Sequence, residues 1–402
     1  MNNTHTRALS GSAGESEHVL LPGKTTIGVL GGGQLGRMLT LAGTAMGYRF
    51  VTLDPAADAP CGQIADQIEA GYDDEKAALE LARQCDVITY EFENVDADVA
   101  ALLERESYVP QGSSLLYTTQ HRLREKRAIE AAGVRVAPYR EITSKDTMQA
   151  AVSELGVPCV LKTVTGGYDG KGQRVIREAD QALAAYEELA ATGAELVLEQ
   201  FIKFDCEISV VVARSTNGEI KTFPPAENIH VNNILHASIV PARVATEVQI
   251  EAQKLAAAVA KSMQAVGLLA VELFVAADGR LYVNELAPRP HNSGHYTMEA
   301  CATSQFEQHI RAICGLPLGD TSLLSPVVMV NVLGEHLEGI IARTGQADAE
   351  ALELGVIPKL HIYGKTEAKT GRKMGHVNLL CQDVEEGLQW IEQTNLWRNT
   401  NS

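Results

Sequence analysis

The sequence predicts a multidomain protein of mixed α/β and α+β class, and three stretches predict it. Near the start, Thr26 to Leu30 reads as a short buried strand that Gly31-Gly32-Gly33-Gln34-Leu35-Gly36 turns into a helix, with a second strand from Arg49 to Leu53. That order is a βαβ unit of a parallel sheet. In the middle, the strands CVLKTV from Cys159 and RVI from Arg174 bracket a hairpin loop, Thr165 to Gln173, with four glycines in seven positions. Further on, Leu268 to His295 reads LLAVELFVAADGRLYVNELAPRPHNSGH, two antiparallel strands about Asp278-Gly279 followed by a polar loop.

Composition narrows the function classes. A chain of 402 residues exceeds one average domain, and 45% hydrophobic with 21% charged residues is ordinary for a globular protein. A net charge of −17 argues against nucleic acid as a partner, because phosphate backbones demand a surplus of Lys and Arg on one face. Small phosphorylated substrates stay open, since they need only a few local cations. Seven cysteines, odd in number and without a C-x-x-C pair, predict reduced thiols in a cytoplasmic protein. No apolar run of about 18 residues exists, so no membrane partner is expected. Residues 1–24 lack the apolar core of a signal peptide and are expected to be a flexible tail.

Taken in order, residues 25–113 form the first unit. Its glycine turn aims backbone N–H groups at a helix N-terminus, where an anion could bind. Gly31, Gly33 and Gly36 also fit G-x-G-x-x-G with Asp54 near the ribose position, which keeps a dinucleotide-dependent enzyme open. A strand ending at Tyr90 delivers Glu91 and Glu93 at its C-terminal end, where ligands of open α/β sheets bind. A helix from Val99 to Arg105 follows.

The second unit, 114–315, opens with a helix from Ser114 to Ala132 that carries Arg122 and Lys126 on one face. A helix from Lys145 to Leu155 leads to the Lys162 strand and the glycine loop. That loop is rich in backbone donors suited to phosphates, yet it lacks G-x-x-x-x-G-K-[ST], so a Walker-type site is disfavoured. Lys162 stands in an apolar strand and needs an anion, either a phosphate or an internal carboxylate. Glu199-Gln200-Phe201-Ile202 is a connector whose backbone could read an adenine edge, with Glu207 on the next strand in reach of ribose. Asn217-Gly218 is a hairpin turn. A helix from Glu247 to Val266, ended by Gly267, feeds the Leu268 hairpin.

In that hairpin a turn centred on Asp278-Gly279 sets Glu272 opposite Glu285. Like charges facing each other on apolar strands call for a cation, and Mg²⁺ carrying a polyphosphate fits, as does a solvated edge pair. Arg289, His291, Asn292, Ser293 and His295 follow as a dense set of anion donors. The last unit, 316–402, reads as strands Val327 to Val332, Lys359 to Tyr363 and Lys373 to Leu380 and a helix Val384 to Gln393, with Lys365 and Arg372 flanking a turn.

The segments GVLGGGQLGRM, YEFENV, TGGYDGKGQ, NELAPRPHNSGHYT and YGK…GRKMGH together resemble the ATP-grasp superfamily and, within it, the N5-carboxyaminoimidazole ribonucleotide synthetases, over about Thr25 to Trp397. The resemblance implies an ATP-grasp fold with a Rossmann-like N-terminal domain and a small β-rich C-terminal domain. It also implies a ligase that uses ATP, Mg²⁺ and bicarbonate to carboxylate aminoimidazole ribonucleotide in purine biosynthesis. Arg122, Lys162, Gly167, Tyr168, Asp169, Gly170, Lys171, Gly172, the connector Glu199 to Ile202, Glu207, His230, Asn284 and Glu285 would surround ATP. Glu272 and Glu285 would hold the metal. Arg289, His291, Asn292 and Ser293 would embrace bicarbonate or carboxyphosphate. Gln34, Leu35, Lys365 and Arg372 would grip the ribonucleotide phosphate, with Glu91, Tyr168 and Asp169 near the aminoimidazole. The glycine turn would then serve a substrate phosphate. The family further implies a homodimer and handover of product to a mutase.

Overall fold

The structure, a computed structural model, describes residues 19–167, 171–344, 351 and 353–397. The N-terminal sheet is parallel, with strands β1 (Thr26–Leu30), β2 (Arg49–Asp54), β3 (Asp66–Glu69) and β4 (Val87–Tyr90) in the order β3-β2-β1-β4. Every residue of β1 is buried, as a strand covered by helices on both faces requires. Helices α1 (Gln34–Ala45), α2 (Glu75–Gln84) and α3 (Ala97–Glu106) supply that cover. β3 and α2 escape the sequence reading. DQIE is a polar edge strand without alternation, and α2 buries only Ala78 and Leu81 on a helix capped by Asp74.

The expected helix from Ser114 to Ala132 is instead two, α4 (Ser113–Thr119) and α5 (Arg122–Ala131). At the break the Gln120 amide donates to the Glu93 and Val95 carbonyls at 2.7 Å each, and His121 is extended. The break swings α5 toward the next unit, where the Arg122 N–H donates to the Val164 carbonyl at 3.0 Å.

That unit is an antiparallel sheet in the order β5-β8-β6-β7, from β5 (Tyr139–Ile142), β6 (Cys159–Thr163), β7 (Gln173–Ile176) and β8 (Leu196–Gln200). Two helices, α6 (Lys145–Leu155) and α7 (Ala182–Ala190), pack Met148, Ala151 and Leu189 against Cys159, Leu161 and Leu198. Strand alternation then sends Val160 and Lys162 to the opposite face.

The central sheet has nine strands. β9 (Phe204–Arg214), β10 (Ile220–Thr222), β11 (Ala226–Val231), β12 (Ile234–Val240), β13 (Gly267–Ala276), β14 (Leu281–Ala287), β15 (Val327–Leu333), β16 (Ile357–Ile362) and β17 (Lys373–Leu380) order as β14-β13-β9-β11-β12-β15-β17-β16, with β10 on β9. The C-terminal strands thus extend the same sheet through the β12–β15 pair. Helix α8 (Thr246–Ser262) packs Ala252, Ala256 and Val259 on Val210 and Val271. It stops four residues short of the expected Val266. Gln264 adopts a left-handed conformation, and Gly267 opens β13 rather than closing the helix. The β11–β12 hairpin, absent from the sequence reading, turns on Asn232 and Asn233, both at positive φ. Helices α9 (Thr297–Ala300) and α10 (Gln305–Ile313) follow β14, and Phe306 and Ile310 bind this unit to Leu39 and Val87 of the N-terminal core.

Candidate active site

A cavity of about 540 Å³ opens between the β6–β8 face, α5 and the β9–β13–β14 end of the central sheet. Glu272 and Glu285 are direct cross-strand partners on its floor. They meet for a different reason from the one expected. The hairpin loop has three residues, with Ala276 bonded to Arg280 at 2.9 Å, which shifts the register by one. A bulge at Asn284 shifts it back, so the two offsets cancel before Glu272 is reached.

The floor is anionic. Burial, then the charges of Glu272 and Glu285, push the nearby Glu207 up to about 7. Burial and then Glu272 hold Glu285 above the usual carboxylate range. Two opposed carboxylates are what Mg²⁺ commonly uses beside phosphate oxygens, and the Glu272–Glu285 pair fits that use. Nitrogen side chains touch the same carboxylates: Arg122 Nη1 lies 3.4 Å from Glu285 Oε2, and His291 Nε2 lies 3.0 Å from Glu272 Oε1.

Above the floor, Lys162 Nζ reaches Glu199 Oε2 at 3.0 Å, and Lys126 Nζ, fully buried, lies 3.2 Å from Glu199 Oε1. The anion that Lys162 requires is therefore an internal carboxylate here. Burial opposes the ionisation of Glu199, but Lys162 and then Lys126 outweigh it and bring the group down to about 2. Arg122, Gly167, Lys171, Gln200, Phe201, Ile202, His230 and Asn284 line the same cavity. Gly172 does not line it. That glycine, at φ +70°, accepts from the Thr163 N–H at 2.8 Å and closes the loop, and a Cβ there would meet Thr163 Oγ1 at 2.6 Å. Tyr168, Asp169 and Gly170 lie outside the described residues. The adenine-edge expectation needs correction at two amides, because the Gln200 and Phe201 N–H groups bond to the Pro138 and Pro158 carbonyls. Phe204 and Phe274, stacked with centroids 4.5 Å apart, supply an apolar wall the sequence reading missed. His230 Nδ1 sits 3.4 Å from Glu207 Oε2.

The chain leaving β14 carries Arg289, His291 and Asn292 to the cavity wall. Arg289 forms a two-pronged ion pair with Glu93, which Arg289 draws down to about 2 against its burial. Both polar atoms of the Asn292 amide are buried and have no hydrogen-bond partner among the described residues. Ser293, expected beside bicarbonate, does not line the cavity. Its hydroxyl lies beneath His291, 2.8 Å from Nδ1.

Gln34, Leu35, Glu91, Lys365 and Arg372 stand apart from this cavity, at the junction of the glycine turn with the 364–372 loop. Gln63 bridges the junction, accepting from Arg37 at 3.0 Å and donating to the Gly364 carbonyl at 2.7 Å. The Glu91 carboxylate accepts from the Gly33 and Gly36 amides, so two donors expected to face a phosphate cap this side chain. Gly31, at φ +108°, is required because a Cβ would collide with Glu91. Burial pushes Glu91 up to about 7 against the pull of those amides. Lys365 donates to the Lys373 carbonyl at 2.7 Å, and Arg372 to the Glu367 carbonyl at 3.0 Å. Asp54, the ribose residue of the dinucleotide reading, accepts from Gly32 N–H at 2.7 Å, Ala56 N–H at 2.8 Å and the Tyr72 hydroxyl at 2.6 Å, which turns it inward as a structural cap.

Comparison with known proteins places this geometry. Residues 24–120 match the ribonucleotide synthetase preATP-grasp domain, residues 127–306 the ATP-grasp domain, and residues 327–389 the phosphoribosylaminoimidazole carboxylase C-terminal domain. The chain is 52% identical over 388 residues to the N5-carboxyaminoimidazole ribonucleotide synthase of Bacillus subtilis, covering 96% of this chain and 98% of that one. It is 44% identical to the synthase of Brucella melitensis, covering 89% and 96%. A crystal structure of an N5-carboxyaminoimidazole ribonucleotide synthetase with ADP superposes with a TM-score of 0.90 over 96% of this chain and 100% of that one, at 52% identity. The Aspergillus clavatus enzyme in complex with ADP and aminoimidazole ribonucleotide superposes at 0.83 over 92% and 97%, at 30% identity. The chain belongs to the N5-carboxyaminoimidazole ribonucleotide synthase family, built on the ATP-grasp fold.

Proposed function

We propose that this protein carboxylates 5-aminoimidazole ribonucleotide on its exocyclic amine, using ATP and bicarbonate. One observation carries the reading: the unpartnered, buried Asn292 amide stands on the cavity wall with Arg289 and His291, on the chain that continues directly from the Glu285 strand. Donors for a small oxyanion and carboxylates for a metal thus share one rigid support.

ATP lies along the cavity with its base between the connector and the Phe204–Phe274 wall, and Glu207 and His230 take the ribose hydroxyls. Glu272 and Glu285 would hold Mg²⁺, which when bound neutralises phosphate charge. Arg289, His291 and Asn292 orient bicarbonate so that its oxygen attacks the γ-phosphorus in line, while Lys162, Arg122 and the glycine-loop amides stabilise charge on the departing ADP. The products of this step are ADP and carboxyphosphate. Water destroys carboxyphosphate, so transfer requires that solvent be excluded from the cavity. The amine of the ribonucleotide then takes the carboxyl group and phosphate leaves, the amine proton passing to Asp169 or Glu91. Gln34, Leu35, Lys365 and Arg372 hold the ribonucleotide phosphate, and Glu91 shapes the turn that presents it. Homodimer assembly, a cytoplasmic location and handover of the product to a mutase belong to the same reading and rest on family resemblance. The test is ADP release that requires bicarbonate and aminoimidazole ribonucleotide together; release dependent on formate and glycinamide ribonucleotide would refute it.

A further inference from the structure

The turn that carries His291 and Asn292 to the cavity is gripped from behind by one side chain. His291 is extended, at φ −119° and ψ 148°, so its own N–H and C=O point to the same side of the chain. Gln305, the first residue of α10 and fully buried, meets both. Its Oε1 accepts from the His291 N–H at 2.9 Å, and its Nε2 donates to the His291 carbonyl at 2.8 Å. The amide takes the place that a neighbouring strand takes opposite an extended residue. Its direction is settled at both ends, because a backbone N–H only donates and a backbone carbonyl only accepts.

The same residue ties the far side of the turn. Thr297 Oγ1 accepts from the Gln305 backbone N–H at 2.8 Å and donates to the Gly294 carbonyl at 2.6 Å, so the 3₁₀ turn Asn292–Gly294 is held before and after by residue 305. The approach is close enough to exclude a side chain, since a Cβ on Gly294 would meet Gln305 Oε1 at 2.5 Å. α10 is itself fixed. Gln308 Nε2 donates to the Gly319 carbonyl at 3.0 Å while its Oε1 accepts from the Gly319 N–H at 2.8 Å, and His309 Nε2 lies 2.8 Å from Thr89 Oγ1 on β4, the strand that leads to Glu91. The front of the turn needs such a support, because the Asn292 amide has no hydrogen-bond partner among the described residues to fix its reach into the cavity.

We propose that Gln305 is a positioning residue that holds both backbone polar groups of His291 and thereby sets how far His291 and Asn292 reach toward bicarbonate. A displacement of about 1 Å in groups that orient a reactant is enough to cost on the order of 10²-fold in rate, and a backbone clamped from behind prevents it without occupying the side chains in front. The consequence for bicarbonate rests on the function proposed above; the grip on the turn does not.

The test reads amide hydrogen exchange at His291 in the full-length protein, resolved by fragmentation mass spectrometry, together with steady-state ADP release. Gln305→Met keeps the length of the side chain and removes both of its hydrogen bonds to His291. It should speed exchange at the His291 amide about tenfold while β14 exchanges as before. It should also lower kcat/KM for bicarbonate on the order of 10²-fold and leave KM for ATP within about twofold. Gly294→Ala, which deletes no polar atom and pushes the Gln305 amide aside, should move both readouts the same way and decides the matter if Gln305→Met fails to fold. Gln305→Glu, buried against a carbonyl oxygen, takes the neutral acid form, whose C=O accepts and whose O–H donates at the same places, and should recover most of the bicarbonate response. Unchanged exchange at His291 in Gln305→Met and Gly294→Ala overturns the proposal. Faster exchange with unchanged kinetics, in an enzyme whose ADP release requires bicarbonate, overturns it as well. Wild-type ADP release indifferent to bicarbonate refutes instead the function proposed above, and the exchange data then decide alone whether Gln305 holds the turn.

Discussion

Glu199 is held between two lysines, Lys162 at 3.0 Å on one oxygen and Lys126 at 3.2 Å on the other, and the two differ in their access to the cavity. Lys162 keeps 13% of its side chain exposed, and Lys126 keeps 1%. Lys162 can therefore turn to a phosphate while Lys126 stays to neutralise Glu199. Lys162→Met should lower kcat on the order of 10²-fold and also lower the denaturation midpoint, because Lys162 is the larger influence on buried Glu199. Lys126→Ala should likewise destabilise the protein in urea, because it removes a buried partner of Glu199, while lowering kcat less than Lys162→Met. Equal losses of kcat in the two variants would contradict this division.

Glu285 opposes stability and serves binding. Burial and Glu272 raise Glu285, so Glu285→Gln should leave the melting temperature equal or higher while turnover falls by about 10²–10³-fold. Chelation of divalent cations should stop ADP release in the wild type, and added Mg²⁺ should restore it. Unaltered turnover in Glu285→Gln would remove the metal role from this residue.

Lys365 gives a pH signature. Burial, then Arg372, lowers its ammonium to about 8 although Glu91 pulls the other way. Above that pH the group is neutral and loses its hold on a phosphate dianion, so KM for the ribonucleotide should rise by up to about tenfold per pH unit, with KM for ATP unaffected. Lys365→Ala should abolish the break. In the absence of ligand, the unfolded chain binds the additional proton between about 8 and the ordinary 10.5, so this group's contribution to stability increases with pH across that window.

Acid should unfold the protein in two stages. His295, His376 and His309 are buried, and desolvation holds all three below the usual 6.5, so the unfolded chain takes up protons first and stability declines as pH falls below about 6.5. The carboxylates of Glu93 and Glu199, brought to about 2, contribute stability that is full above the ordinary 4.5 and lost as pH drops toward 2. Urea midpoints measured from pH 7 to 3 should therefore decline already between 6.5 and 5. His376→Phe should flatten that first decline.

Sequence patterning made legible the elements with strong local signals: the β1–α1 glycine turn, the β6–β7 hairpin, and the β13–β14 pair. Segments whose structure depends on distant partners were not legible. The break between α4 and α5 is set by Gln120 reaching back to the Glu93 carbonyl, which no window around Gln120 reveals. The Glu272–Glu285 pairing emerged from a symmetric turn although the loop and the Asn284 bulge each shift the register. Period-2 alternation could not show that Ser293 points away from the cavity, because it lies in a short 3₁₀ turn, Asn292–Gly294, beyond the strand. The β11–β12 hairpin had a usable signal in Asn232-Asn233, two residues that tolerate positive φ in tight turns.

The central claim, carboxylation driven by ATP, is tested most directly by measuring ADP release with each substrate omitted in turn while ¹³C-bicarbonate is followed into product. The account predicts full release and ¹³C incorporation on the ribonucleotide amine only when ATP, bicarbonate and aminoimidazole ribonucleotide are all present. ADP release that persists without bicarbonate, coupled to another acyl donor, would contradict it.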